Sequence, residues 1–346
     1  MPGSSDSSKR IGDHFFRTKL SCFGRYAMDL PEQAQLDWGG TWFPSRIEVY
    51  QAVPGVLQRQ IEKDIASLQK AENTFEIIKN EKAQMKNGWE LRYYRNKHAK
   101  ARGFFVSNMY VELGGALYLL RAAPESGEAE AIFDRRTIDR IAGLRVRSEH
   151  AVPSDPGFCV EGAFMVSASY GEQEMINAGI HIPAFPDVTF SVSSNKDAYS
   201  DYSPAEFNGR LRKELSLLTR IKDAQLQQGV RYPKRTVLRE GKRTVQHWHG
   251  EESLIRRADG THDFEWAFVG TPGDVANPSE FNVQMYTKVA HNTVGAADKA
   301  SLTDDEAIAL WDKLLAGLKF RVKVPGAPEG SYYFLPGAAT GSGAKP

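Results

Sequence analysis

Two histidines and a glutamate alternate in the segment His247-Trp248-His249-Gly250-Glu251. Alternate side chains of a β-strand share one face, so His247, His249 and Glu251 would point the same way on a strand. Two imidazoles and a carboxylate suit a zinc ion with an open fourth position, as in a metal-dependent hydrolase. A solvated strand face with Trp248 packed inward explains the same pattern. The segment therefore leaves a metal site and an ordinary strand as alternatives.

The two cysteines of the chain, Cys22 and Cys159, lie far apart in the sequence. Their spacing fits neither a zinc motif nor a redox motif, so they are either buried apolar thiols or one long-range disulfide. Apolar residues flank both positions, which favours burial over the exposed, low-pKa environment of a catalytic thiol.

Signatures of the common enzyme classes are absent from the sequence. We find no Gly-x-Ser-x-Gly elbow, no Gly-x-Gly-x-x-Gly after a strand and no His-Glu-x-x-His. The segment Gly241-Lys242-Arg243-Thr244 resembles the end of a phosphate-binding loop, but it lacks that loop's first glycine and precedes a predicted strand instead of a helix. The motifs therefore predict no catalytic residue.

The charge of the chain is balanced, with 44 Lys and Arg against 43 Asp and Glu among 346 residues and a formal net charge of +1. This balance argues against a dedicated nucleic-acid binder, which needs a basic excess to neutralise phosphates. The basic run 231–243 is interleaved with Tyr232, but acidic residues follow it closely, so we interpret it as a solvated hairpin. No stretch approaches the ~18–20 apolar residues that cross a bilayer.

Four segments have the apolar periodicity of helices, namely 55–72, 129–144, 204–221 and 303–318. The last of them begins with the capping box Thr303-Asp304-Asp305-Glu306. In the weakest of them, 129–144, Ile132, Ile138 and Ile141 are predicted to point inward.

Segments rich in aromatic and β-branched residues separate these helices and predict strands. They span 22–28, 46–50, 89–95, 103–110, 116–121, 158–166, 177–182, 188–193, 236–238, 244–255, 264–269, 281–287 and 320–324. Short turns between successive strands favour antiparallel pairing. The order of elements is similar in the two halves of the chain, which predicts an α+β fold of two structurally similar domains, each an antiparallel sheet packed with helices.

The sequence divides into four parts. A polar segment, 1–19, is predicted to be flexible, and domains follow at 20–150 and 151–325. Pro153, Asp155, Pro156 and Gly157 interrupt any regular element at the boundary between the domains. The tail 326–346 is rich in Gly and Ala and is predicted to be flexible.

Two motifs at the starts of these domains resemble a known family. They are CFGRYAMDLP at 22–31 and PGFCVEGAF at 156–164. Together they resemble the two-domain immunity proteins of type VI secretion that neutralise phospholipase effectors of the fourth lipase class. The segment 183–192, centred on Phe185-Pro186-Asp187-Val188, resembles the same family. The resemblance covers about residues 20–325.

The resemblance implies a non-enzymatic function. The two α+β domains of the family form a claw that grips the effector and holds the effector's lid over the lipase active site. A lipase needs that lid to move before its serine meets a lipid interface, so clamping the lid blocks hydrolysis. The implied partner is a cognate lipase effector, bound one to one by an otherwise monomeric protein without cofactor, nucleic acid or membrane span. The motifs identify no effector-contacting residue.

The resemblance also bears on compartment and cysteine chemistry. The family acts in the periplasm, which is oxidising, so a disulfide between Cys22 and Cys159 is expected beside the alternative of two buried thiols. Members usually carry a signal or lipoprotein leader, whereas the polar residues 1–13 show no apolar signal core. A periplasmic module that binds a small ligand in its interdomain cleft is a further alternative function.

Overall fold

The computed structural model describes residues 4–71, 75–85, 87–289, 297 and 299–321, and its strands pair antiparallel both across short turns and between distant segments. The described strands form one twelve-stranded sheet, called the large sheet below, and two three-stranded sheets. The strands are β1 Thr18–Phe23, β2 Tyr26–Pro31, β3 Gln35–Trp42, β4 Arg46–Gln51, β5 Glu76–Lys82, β6 Gly88–Tyr94, β7 Phe105–Leu113, β8 Ala116–Ala122, β9 Leu144–Val146, β10 Gly157–Val160, β11 Ala163–Val166, β12 Met175–His181, β13 Thr189–Asn195, β14 Arg235–Val245, β15 Trp248–Arg257, β16 His262–Phe268, β17 Glu280–Tyr286 and β18 Leu318–Phe320.

Helices flank the sheets, as the periodicity predicts. They are α1 Ser4–His14, α2 Val56–Ala71, α3 Lys97–Ala101, α4 Glu130–Ala142, α5 Pro204–Glu206, α6 Arg212–Glu214, α7 Leu217–Gln228 and α8 Asp304–Gly317. A π-helical stretch, Phe207–Leu211, joins α5 to α6, and a 3₁₀ turn, Gly229–Arg231, follows α7. Among the described residues, no helix combines the length and apolar character that a membrane span requires.

The predicted α+β architecture is confirmed, with an antiparallel sheet and packed helices in each half of the chain. The two sheets also join at their edges, in the order β14-β15-β16-β17-β13-β12-β3-β4-β8-β7-β6-β5. Strand β3 pairs with β12 along most of its length. Strand β3 also pairs with β4, but within these fully described strands only two residue pairs form, Thr41 opposite Ile47 and Trp42 opposite Arg46. The two halves are therefore joined along the β3–β12 pair, and the narrow contact of the large sheet lies between β3 and β4 within the first half.

Helices α2 and α7 lie on one face of the large sheet, and α4 and α8 lie on the other. The register aligns Asn177, Ser193, Asn282, Ala267 and Glu251 in a single row on the first face, where the last of them contacts α7. The second face carries the main hydrophobic core, to which both halves and both small sheets contribute. The halves thus share one core.

Helices α2 and α8 form where the sequence predicts them. Ile61 of α2 is 3% exposed and packs on apolar residues of β6, β7 and β8. In α8 the Thr303 hydroxyl accepts a hydrogen bond from the Glu306 backbone, which completes the predicted capping box. Trp311 of α8 is fully buried. Apolar periodicity predicts both helices, and in α8 the capping box agrees with it, so local sequence determines them.

Two helix predictions need correction. The segment 204–221 is not one helix, because it passes through the π-helical stretch and stops before Ser216. A new helix starts there because the Glu251 carboxylate accepts a hydrogen bond from the Leu218 backbone at 2.8 Å. In α4, Ile132 is 62% exposed, whereas Phe133 is buried with its ring centroid 4.9 Å from that of Phe105. Tertiary contacts override the local pattern in both places.

Three predicted strands, 22–28, 158–166 and 244–255, are in fact hairpins. Their turns contain Gly24, Gly162 and Gln246, which adopt positive φ angles of 55°, 64° and 55°. Glycine tolerates that conformation freely, so the first two turns have a clear local cause. Glutamine has no such preference for a positive φ angle, so the residue type at position 246 does not predict this turn.

The amino-terminal segment 1–19, predicted to be flexible, is ordered over its described residues. Residues 4–14 form α1, and β1 begins at Thr18. Ile11 is fully buried, and the Arg10 guanidinium lies 2.6 Å from the Glu306 carboxylate of α8. The prediction overlooked the apolar contact that a single isoleucine provides in a polar segment. The tail 326–346 lies outside the described residues.

The buried hydroxyl of Tyr118 in β8 predicts that the folded protein loses stability at alkaline pH. Its hydroxyl donates to the Glu161 carbonyl at 2.9 Å, and burial raises its pKa to about 12. The unfolded tyrosine ionises near pH 10, so the native state retains a proton that the unfolded chain loses, and stability falls as the pH rises from about 10 towards 12. Between pH 9 and 11 the native protein should lose about 1 kcal/mol more unfolding free energy than Tyr118→Phe.

Urea unfolding at the two pH values measures this difference. The exposed Tyr202 supplies the control, because Tyr202→Phe should follow the native protein. An equal loss in the native protein and in Tyr118→Phe would show that this hydroxyl does not titrate with folding.

Candidate functional site

The three residues of the predicted metal cluster have separate partners. His247 lies in the β14–β15 turn, where its Nε2 is 3.0 Å from the Ala276 carbonyl oxygen and burial lowers its pKa. His249 Nδ1 is 3.0 Å from the Thr244 hydroxyl. Glu251 instead caps α7. Across the residues that the structure describes, no group of three His, Cys, Asp or Glu side chains is placed to hold a metal. The metal-hydrolase alternative is not favoured.

The basic run 231–243 forms the β14 edge of the large sheet. Arg239 and Arg243 each contact the carboxylates of Glu252 and Asp312. Asp312 belongs to α8, so these arginines tie β14 to the helix beneath it. The run forms a hairpin strand, as predicted, but Arg239 and Arg243 form ion pairs within the protein instead of facing solvent alone.

The two motifs that open the halves lie against each other. Cys22 and Cys159 are fully buried and joined in a disulfide, with their Cα atoms 5.9 Å apart. Beside it, Gly24 and Cys159 exchange two backbone hydrogen bonds of 2.8 Å each. The first motif also contains Arg25, which is 1% exposed and donates to both Glu174 carboxylate oxygens, at 2.7 and 2.5 Å. These contacts connect the two halves.

Two more buried arginines hold the segment between the halves. Arg147 donates to the carbonyl oxygens of Ser148, Glu149 and Ala151 at 3.1–3.2 Å. Arg321 donates to three carbonyls further along, those of residues 153, 155 and 157. Burial lowers the pKa of Arg321 to about 9. The boundary segment is therefore anchored along its length, and the relative position of the halves is set before any partner binds.

The face of the large sheet between α2 and α7 has no described helix over it. We call this surface the trough. Its floor consists of outward side chains and glycine positions of β3, β12, β13 and β17, namely Asp37, Asn177, Gly179, Ser191, Ser193, Asn282 and Gln284. The alternate residues of these strands are buried in the core. Hydroxyl and amide groups both donate and accept hydrogen bonds, so the trough suits a polar protein surface.

Two glycines open a gap at the side of the trough. Gly39 and Gly40 form an irregularity in β3 opposite Asn177, where a Cβ on Gly39 would lie 2.9 Å from that of Asn177. Such a bulge bends a strand, and β3 diverges here from β4. The resulting gap, called the fork below, is a cavity of about 190 Å³ whose lining includes Trp38 and Glu48.

A larger cavity of about 480 Å³, the α2 cavity, lies between α2 and the sheet of the first half. Its lining includes Asp64 of α2, Asn108 of β7 and Arg121 of β8. Glu48 lines both this cavity and the fork, and the fork is also lined by Ile47, Val49 and Val160 from the core side, so it is a gap in the sheet between the α2 cavity and the trough. Both halves of the chain contribute to this candidate site.

Sequence reasoning missed this site for two reasons. The sequence predicts β12, β13 and β17 of the trough but not β3, and nothing in these strands indicates that their polar face lacks a helix. A local signal did exist for the α2 cavity, because Gln60 and Asp64 interrupt the apolar stripe of the predicted helix. Both residues are buried, so they mark a polar pocket inside a helix–sheet contact.

Two family models match the chain. One, described as the Tle cognate immunity protein 4 N-terminal domain, matches residues 19–152, and the corresponding C-terminal domain matches residues 151–323. No curated protein matches the chain significantly.

Solved structures share the fold. The apo structure of immunity protein TplEi of the type VI secretion system (T6SS) from Pseudomonas aeruginosa is 20% identical, with a TM-score of 0.66 over 88% of this chain and 97% of that chain. The same protein complexed with an "L" peptide is 20% identical, with a TM-score of 0.63 over 88% of this chain and 98% of that one. A Tle4–Tli4 complex contains a chain 21% identical, with a TM-score of 0.63 over 88% and 97%. The two family models together span most of this chain, and it belongs to the Tle cognate immunity protein 4 family.

Proposed function

We propose that this protein protects its producing cell by binding a type VI secreted phospholipase one to one and blocking its lid. The observation that carries the proposal is family membership across both halves, over residues 19–323. The similar Tle4–Tli4 complex supports an effector as the partner. The trough supports a contact made by both halves, because its strands come from each of them.

The mechanism requires binding without chemistry on the part of this protein. A partner seated in the trough contacts the first half beside α2 and the second half beside α7. A lid held between them cannot move, so lipid does not reach the catalytic serine of the lipase. Because the disulfide and the buried arginines fix the halves in advance, little ordering free energy is spent on binding.

Domain division and compartment belong to the same proposal. We assign the functional units to 20–150 and 151–325, and the two family models, which meet at residues 151–152, support this division. We place the protein in the periplasm. The disulfide supports that compartment, since disulfides persist where the environment is oxidising.

We expect a type VI lipase to be encoded beside this protein, and titration of the full protein against that lipase tests the proposal. Self-protection demands little free toxin, so we expect a 1:1 complex of nanomolar affinity, about −12 kcal/mol, and complete loss of hydrolysis at one equivalent. The protein alone should hydrolyse no phospholipid. A lipase of another class serves as the control and should stay active. Absence of binding by the intact protein, or undiminished hydrolysis in the complex, would refute the proposal.

A further inference from the structure

We infer that the α2 cavity receives an acidic loop of the effector, whose carboxylate meets Lys63 and Arg95. This inference rests on the proposed function and adds a specific anchor to it. The cavity volume of about 480 Å³ lies within the range typical of ligand pockets, so a loop with more than one side chain fits inside.

The floor of the cavity is a constructed polar site. The Asp64 carboxylate is 9% exposed and accepts hydrogen bonds from the Tyr110 hydroxyl at 2.7 Å, from Asn108 Nδ2 at 3.1 Å and from Gln60 Nε2 at 2.9 Å. Burial, with Asp64 adding to it, raises the pKa of Tyr110, so this hydroxyl stays a donor. Helix–sheet contacts are normally apolar, and a buried network of this kind holds its members in fixed positions.

Two polar atoms beside this network are left without partners. Asn108 is 1% exposed, and its Oδ1 is a buried acceptor without a hydrogen bond among the described residues. Arg121 Nε is a buried donor that likewise has no hydrogen bond among the described residues. The two residues stand directly opposite each other on β7 and β8. Leaving such groups unpaired costs about 1–3 kcal/mol each, so polar groups with incomplete hydrogen bonding lie directly behind the cavity wall.

The charge that remains in the cavity is positive. Arg121 lies 3.3 Å from the Glu48 carboxylate and 3.9 Å from the Asp64 carboxylate, so these two acidic side chains share one arginine, and Lys63 and Arg95 add two further positive charges. Lys63 and Arg95 are exposed, and neither has an ion pair within the described residues. A carboxylate therefore suits the mouth of the cavity.

The rest of the wall and the position of the cavity favour a loop over a free small molecule. Leu68, Phe75 and Tyr93 also line the cavity and offer an apolar surface to a neighbouring side chain of the loop. Glu48 lines both the cavity and the fork, and the fork borders β3, the strand that the first half contributes to the trough. An effector seated in the trough is thus within reach of the cavity.

The test compares two charge reversals in the full-length protein, with the neighbouring lipase as the probe. Lys63→Glu/Arg95→Glu should weaken binding by about 30-fold or more, because it places like charge against the carboxylate. Lys70→Glu/Arg102→Glu changes the net charge equally at exposed positions outside the cavity and should stay within about threefold of the native protein. Both variants alter exposed residues, and thermal unfolding checks that they fold.

Three outcomes would overturn the inference. Native-like binding by Lys63→Glu/Arg95→Glu, or an equal loss in both variants, would do so while leaving the proposed function intact. Saturable binding of L-glutamate to the protein alone at submillimolar concentration would make the cavity a small-ligand site instead. Failure of the native protein to bind the lipase is a different result and refutes the proposed function itself.

Discussion

Glu174→Ala should lower the free energy of unfolding by about 3–5 kcal/mol, because it leaves the Arg25 guanidinium buried without its counter-charge. The side chains of both partners are nearly inaccessible, at 2% and 7% exposure, and they meet through two short hydrogen bonds. Arg25 also lies over the rings of Phe43 and Tyr170, at 5.4 and 5.0 Å from their centroids. With packed rings around it, the guanidinium cannot turn to solvent.

Urea unfolding measures this loss, and a double variant separates charge from packing. Arg25→Met/Glu174→Leu removes both charges and keeps apolar volume, so it should be more stable than Glu174→Ala. The exposed pair Arg135–Asp139, with side chains 79% and 64% exposed, provides the control. Asp139→Ala should cost about 0.5 kcal/mol or less. A loss below about 1 kcal/mol in Glu174→Ala would mean that this ion pair does not hold the halves together.

The location of this pair explains why its loss affects the whole molecule. Arg25 stands in the turn after β1, and Glu174 directly precedes β12, the strand through which the two sheets join. The disulfide and the carbonyls held by Arg321 lie in the same region. Because the main core includes residues of both halves, separate halves would expose core surface, and tests of binding belong with the full chain.

Local sequence predicts the elements of this fold better than their assembly. Helix α8 follows from the capping box at Thr303 and an apolar stripe, both of which are contained in one short segment. The α+β class follows from the order of strands and helices. The union of the two sheets does not, because Gln35–Trp42 and Met175–His181 are far apart in sequence, and no local pattern states which strands become neighbours.

The candidate site was harder to predict than the fold for a related reason. His247, His249 and Glu251 were grouped by assuming one continuous strand, and the turn at Gln246 removes the first of them from it. The trough, in contrast, is the part of the sheet face that neither α2 nor α7 covers. Only the assembled structure shows where these helices pack. Burial of Asp64 within a helix stripe is the kind of local conflict that marks a site, and it could have been found from sequence.

Ser191→Trp should weaken binding of the neighbouring lipase by about 100-fold or more, which corresponds to roughly 2.7 kcal/mol. Ser191 lies at the centre of the trough floor, between Gly179 on β12 and Gln284 on β17. The neighbouring glycine has no side chain to confine an indole, so the new ring would project over the floor. A standard interface is well packed at its centre, and a bulky group there separates the two surfaces.

The substitution tests the surface without testing the core. Ser191 is only half-buried and faces away from the hydrophobic side of β13, so Ser191→Trp should unfold close to the native temperature. Ser126→Trp makes the same change at an exposed turn outside the trough and should inhibit the lipase as the native protein does. Calorimetric titration and residual hydrolysis report binding and protection separately. Full protection by Ser191→Trp would show that the effector does not contact the trough floor, and a contact by both halves would then have to lie on another surface.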